Sequence, residues 1–424
     1  MRTSSRFVAD RVVAAFVSRG HGFSRLAASH AGSVAGDTLV ALALAGTLFF
    51  AVPSTEARDN VALYLLLTLA PFAVLGPVLG RVYDRFPSAY RGGLVLSSGL
   101  RAGVAVVMML FVTSVFLFPL AFLLLVLSRF HGISRASVLP VVLDRREDLV
   151  TANAHIARLG VLGGVVVTPL GGVAVWLDAP WLALALAAAV YVWSAVSASG
   201  LPVLERTQVV SAAVTPEAAR GMPRPVRLAR FATAAVRFLN GFLLLLVAFA
   251  FRDANAGIVD FGFLLGAGGL GYLLAAMVTP LLERRVTEEP MVVAGLAVEA
   301  GAAFIAAQAF GLPAAAALAA AAGLAWGTAK FGFDGLLQAT VPIEGRGRAF
   351  TISETIFQIA WVIGALIPVV PAIPVEVGLT IAGVAALVIQ VVYVAAIIPI
   401  AAQRRSRRDE EPPATSDSDV LDLF

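Results

Sequence analysis

The chain has 424 residues, 59% of them hydrophobic and 14% charged, with a mean hydropathy of +0.89. Soluble domains carry about 45–50% apolar and about 25% charged residues, so a water-soluble enzyme is excluded at the outset. Cysteine is absent, and the four histidines (His21, His30, His131, His155) lack the spacing of a zinc site, so no metal and no other cofactor is expected.

Residues 1–25 hold five arginines and Asp10 without a separate apolar core or cleavage site, so they read as a surface segment rather than a cleaved signal. A helix crossing the hydrocarbon core needs about 20 mostly apolar residues at about 1.5 Å each. Twelve stretches qualify: 28–52, 61–80, 92–112, 117–142, 152–177, 180–203, 228–251, 258–282, 290–310, 312–341, 350–371 and 375–402. The expected fold is an all-α integral membrane protein. A segment over 1–27 leads into a six-helix bundle (28–203), a polar linker (204–227), a second six-helix bundle (228–402) and a disordered tail (403–424).

The arginines give the orientation. Segments 1–27, 81–91, 143–151, 204–230, 283–289, 342–349 and 403–424 hold 23 of them, whereas the opposite connections hold Arg58 and Arg252 alone. The positive-inside rule therefore places both termini and the linker in the cytoplasm. The pI of 9.8 is accordingly a topology signal, and no nucleic-acid partner is expected.

An offset of 199 relates the halves: Asp84-Arg85 falls on Glu283-Arg284, and Pro169 on Pro368. Two parallel six-helix repeats suggest a secondary transporter. The stretch from Gly80 to Arg91, with Asp84 and Arg85, resembles the helix 2–3 loop signature GxxxDRxGRR of the major facilitator superfamily. It lacks the glycine after the arginine and the tandem basic pair. Gly36-Asp37, Arg101 and LVTANAHIARLGVLGGVVVTPLGG resemble the family's exporter-like branch, and LSRFHGISRASVLP resembles its actinobacterial members. The resemblance implies a monomeric protein of the bacterial plasma membrane that works by alternating access, restrained by the loop residues Gly80, Asp84, Arg85 and Arg91. Asp84 would cap a neighbouring helix N-terminus, and Arg85 and Arg91 would meet lipid headgroups or serve only as topological anchors.

Ionisable side chains inside the bilayer cost roughly 2.5–3.5 kcal/mol at its centre on insertion scales, so each needs a partner or a wet cavity. Asp37, Arg135, Arg237 and Asp334 fall at one depth by residue count. Arg135 and Asp334 are related by the 199-residue offset, and Asp37 and Arg237 by 200. By the resemblance, their helices line a central cavity, and the four are expected either to form a gate of alternating sign or, for the arginines, to snorkel. Lys330, Asp334 and Gln338 form one stripe, in which Lys330 could neutralise Asp334. Glu354 and Glu299 stand as isolated acids, each a protonation site or a helix contact. The glycines at 266, 268, 269 and 271 are expected to permit close helix packing.

The leading functional expectation is a transporter, not an enzyme: proton-coupled efflux of a small amphiphilic molecule. The alternatives are import of an anionic solute through Arg135 and Arg237, or a non-transporting sensor or scaffold on the same fold. No ATP-binding motif is present, so a coupling ion, the proton first, must supply the drive.

Overall fold

The computed structural model describes residues 20–44, 90–112, 114, 116–143, 149–202, 222–254, 256–283, 288–369 and 373–410. These contain eleven α-helices. The first half holds α1 (His21–Leu44), α2 (Tyr90–Leu110), α3 (Leu117–Val138), α4 (Leu149–Trp176) and α5 (Pro180–Ser199). The second holds α6 (Arg224–Asp253), α7 (Ile258–Glu283), α8 (Glu288–Gln308), α9 (Leu312–Thr340), α10 (Ile343–Leu366) and α11 (Val375–Glu410). Ten of them are long and apolar enough to cross a membrane. The exception, α1, carries Arg25, Ser29, His30, Ser33 and Asp37 within its described length.

Eleven of the twelve expected stretches thus correspond to helices. The one expected over 61–80 lies outside the described residues, as do Gly80, Asp84 and Arg85. Helix α1 begins at His21, seven residues before the expected start, and two further boundaries differ by about two turns. Helix α10 begins at Ile343 because Pro342, in an extended conformation, forms its N-cap, so the arginines of 342–349 lie on its first turns rather than in a loop. Helix α11 continues to Glu410, through residues assigned from sequence to the tail.

Each half packs around its own helices: α1 on α4 and α5, and α2 on α3 and α5. In the second half, α9 packs on α6, α7 and α8, and α6 on α10 and α11. Contacts between halves run through α4 with α7 and α9, and through α3 with α10. The apolar cores locate those contacts along the bundle. One core joins the starts of α1, α2, α4, α6 and α10 (Phe23, Tyr90, Leu149, Val226, Phe350) to the ends of α3, α5 and α9 (Leu139, Ala198, Leu337). That alternation of starts and ends is what antiparallel neighbours in a serial bundle require. At the opposite end the cores separate, one built from Leu39, Met108 and Tyr191 of the first half, the other from Phe242, Leu264 and Leu379 of the second. Among the described residues the halves therefore share a core at the end where Arg25, Arg91, Arg224 and Arg346 lie, and have separate cores at the other.

In lipid, apolar surface gives little drive for helices to associate, so small residues and hydrogen bonds decide the approach. Gly335 lets α9 meet Val150 of α4 across the two halves, where any Cβ would collide with the valine. Of the four glycines expected to pack closely on α7, Gly271 does so against the Ala320 carbonyl. Gly268 makes ordinary contact, and Gly266 and Gly269 face open space. Those two glycines lie on the far side of the helix from α9, so the packing expectation holds for one face only.

Candidate functional site: a charged cavity between the halves

A cavity of 190 Å³ lies between the halves, above the joined end. Helices α1, α3 and α4 supply His30, Ser128, Arg129, Arg135 and Asn153 to its wall. Helices α7, α9 and α10 supply Tyr272, Trp326, Lys330, Asp334 and Glu354. A larger void of 520 Å³ lies within the second half at its opposite end, lined by apolar residues such as Leu246, Phe249 and Phe310. Asp253 is its one charged residue among those described, so it gathers no chemistry.

The floor of the central cavity is a pair of side-chain amides. Asn153 Nδ2 donates to Gln338 Oε1 at 2.6 Å, and Gln338 Nε2 donates to the Ala136 carbonyl at 2.7 Å. Arg346 then donates to the Gln338 carbonyl at 3.0 Å and to that of Val341 at 3.1 Å, closing off the end of α9. Asn153, Gln338 and Arg346 are all buried. Asn153 lies within the quoted fifth stretch and Gln338 within the polar stripe. Two neutral amides 185 residues apart carry no signal in one sequence that they meet.

On the first-half side, Asp37 is held by three donors. Arg101 Nη1 lies 3.0 Å from its Oδ1, Tyr191 Oη donates to the same oxygen at 2.6 Å, and Ser128 Oγ donates to Oδ2 at 2.7 Å. Arg101 is fully buried, donates also to Ser33 Oγ and the Ser97 carbonyl, and lies 4.6 Å over the Tyr191 ring. The Asp37 side chain remains 36% exposed, so its carboxylate is both paired and reachable. Behind it, His131 Nδ1 sits 3.4 Å from Ser97 Oγ and 3.3 Å from Ser98 Oγ, and its ring stacks on His30 at 6.4 Å.

On the second-half side, Lys330 is shared by two acids. Its Nζ bonds Asp334 one turn along α9 and lies 2.9 Å from Glu354 Oε1 on α10. Asp334 is buried, and Glu354 is 22% exposed. Glu354 is thus not the isolated acid its sequence context suggests; helix α10 brings it to the lysine.

Arg135 reaches the cavity, as its 199-residue relation to Asp334 implies, and its Nε is buried without a hydrogen-bond partner. Arg237 lies 4.6 Å over the Trp326 ring and 5.5 Å over that of Trp361. Among the described residues, neither arginine pairs with Asp37 or Asp334; each acid takes its counter-ion from its own half. Arg91 is at the start of α2, where its guanidinium donates to the Ser199 carbonyl at the C-terminus of α5, a position favoured by the helix dipole. Glu299 is buried on α8 with both carboxyl oxygens unpartnered, away from the cavity.

Two helical bundles, joined at one end, enclose a polar, charge-lined cavity. The fold is similar to that of solved transporters, among them one of the major facilitator superfamily. A bacterial homologue of the iron transporter ferroportin, in its outward-facing state, superposes with a TM-score of 0.65 at 17% identity, covering 88% of this chain and 98% of that one. The human organic anion transporter MFSD10 (TETRAN) gives 0.64 at 16%, covering 88% and 99%. The major facilitator transporter FucP in its outward conformation gives 0.60 at 13%, covering 90% and 99%. In sequence, an uncharacterized Mycobacterium leprae protein is 28% identical over 384 residues, which is 81% of this chain and 66% of that protein. An uncharacterized Mycobacterium tuberculosis protein is 41% identical over 137 residues, 31% of this chain and 24% of that one. The chain therefore spans less than two thirds of the length of the curated relatives it matches. No family model matches the chain.

Proposed function

We propose that the protein is a proton-coupled secondary transporter of the bacterial plasma membrane that exports a small amphiphilic molecule by alternating access, acting as a monomer. The observation that carries this reading is the asymmetry of the two ends: one shared core and the Asn153–Gln338 bridge at one end, and separate cores at the other. The positive-inside rule, applied to the 23 arginines that the sequence gathers in segments on one side, supports a cytoplasmic joined end, with both termini, and a cavity that opens outward. Two bonds between the halves, at about 0.6 kcal/mol each for interhelical hydrogen bonds in membranes, form a closure weak enough to reverse.

Coupling needs a charge that changes in the course of the cycle. Lys330 balances one of its two acids, leaving one negative charge that a proton would remove. Asp37 offers a second site, since protonation would release it from Arg101. The loop residues Gly80, Asp84 and Arg85, with Arg91, would restrain the change of state, and lipid headgroups would meet their arginines. Export as the direction rests on the exporter-like resemblance of the Asp37 and Arg101 stretches.

Inside-out vesicles containing the full chain test this. With an imposed pH gradient they should accumulate amphiphilic dyes, and both a protonophore and Asp37→Asn should abolish the accumulation. Accumulation that ignores the gradient would remove proton coupling from the account.

A further inference from the structure

We infer that the central cavity takes the anionic group of its substrate, a carboxylate, sulfonate or phosphate on an apolar body, with Arg135 as its main ligand. This rests on the transporter reading and names the substrate class of the same site.

The charges around the cavity do not balance. Asp37 is matched by Arg101 within the first half. Lys330 with Asp334 and Glu354 leaves one negative charge. Arg135 on the wall and Arg237, which lies over the wall residue Trp326, together outnumber that one surplus carboxylate. Arg237 is stabilised by two indole faces. Arg135 has no such support: its Nε is buried without a partner, and among the described residues no carboxylate lies within ion-pair distance. A guanidinium left so in a low-dielectric cavity is costly, and its planar fork matches a carboxylate or phosphate with two parallel bonds. His30 lines the same cavity, and its Nδ1 is also buried without a partner, giving a second group for the anion.

The remaining wall fits the apolar body. Tyr272 and Phe331 pack at 5.4 Å, and Trp326 and Phe350 complete an aromatic surface. A cationic substrate is disfavoured, because both acids on the cavity wall are already engaged by the Lys330 ammonium, which it would have to displace.

Isothermal titration calorimetry of the full chain in detergent tests this with three probes of one shape: naphthoate, naphthylmethanol and naphthylmethylammonium. Naphthoate should bind about tenfold or more tightly than the other two. Arg135→Gln should remove that preference, and Arg135→Lys should keep part of it. Circular dichroism and the elution profile of both variants should match the parent, so that lost binding is not lost folding. Failure to bind naphthoate, preference for the ammonium, or an unchanged preference in Arg135→Gln would overturn the anion assignment. Spin-label distances at the two ends judge the transporter reading separately, because they need no substrate.

Discussion

Asn153 and Gln338 meet across the two halves, the amide of one donating to the amide oxygen of the other at 2.6 Å, and both side chains are buried. Removing Asn153 leaves the buried Gln338 Oε1 without its donor, at a cost of about 1–3 kcal/mol, and removing Gln338 loses both bonds between the halves, although Asn153 Nδ2 keeps the Leu149 carbonyl. Asn153→Ala and Gln338→Ala should therefore each shift the balance towards opening of this end. The double variant should cost less than the two effects added. The rate at which a cysteine at Gly132, on the cavity wall, reacts with an impermeant maleimide from the arginine-rich side reports the shift.

Asp37 separates a structural role from a coupling role. Asparagine keeps an oxygen for Arg101 and Tyr191, whereas alanine leaves a fully buried guanidinium without its counter-ion. Breaking a fully buried pair in that way costs about 3–5 kcal/mol, and the part-exposed Asp37 lowers that cost here. Asp37→Asn should fold normally and lose gradient-driven transport. Asp37→Ala should lose both stability and transport, as measured by thermal unfolding of the purified protein. Equal stability of the two would assign Arg101 another support.

Lys330 holds two acids, so Lys330→Met should destabilise the second half. Adding Glu354→Gln should recover part of the loss, with a coupling of about 0.5–3 kcal/mol from thermal unfolding. No recovery would mean that Glu354 is already satisfied elsewhere.

Glu299 makes the opposite case. Its two carboxyl oxygens are buried without partners on α8, a helix whose Leu296 and Ala300 belong to an apolar core, and replacing it with leucine removes that cost. Glu299→Leu should raise stability by about 1–3 kcal/mol and leave transport unchanged. A loss of transport would give the residue a role in the cycle.

The helices were legible in the sequence because a membrane span needs a length of apolar residues that nothing else imitates. The Lys330–Asp334 pair was legible for a similar reason, since residues four apart share a helix face. Pairing across helices was not. Depth and the repeat offset set Asp37 against Arg135 and Arg237, but depth says nothing about azimuth. The side chain that reaches Asp37 is Arg101, from a helix whose repeat counterpart carries no arginine. Arg237, expected either to join a gate or to snorkel, lies against two indole rings, an arrangement that hydropathy does not encode. Arg135 and Asp334 do line one cavity, from opposite halves, because repeat-equivalent positions share both depth and facing.

Double electron–electron resonance on the full chain in lipid nanodiscs measures whether one end opens as the other closes. One spin-label pair belongs at Gly200 and Thr340, at the joined end, and another at Leu177 and Phe263, at the separated end; all four positions are exposed. Lowering the pH, or introducing Gln338→Ala, should lengthen the Gly200–Thr340 distance and shorten the Leu177–Phe263 distance in the same fraction of molecules. Distances at both ends that stay fixed, or that change independently of each other, would contradict alternating access.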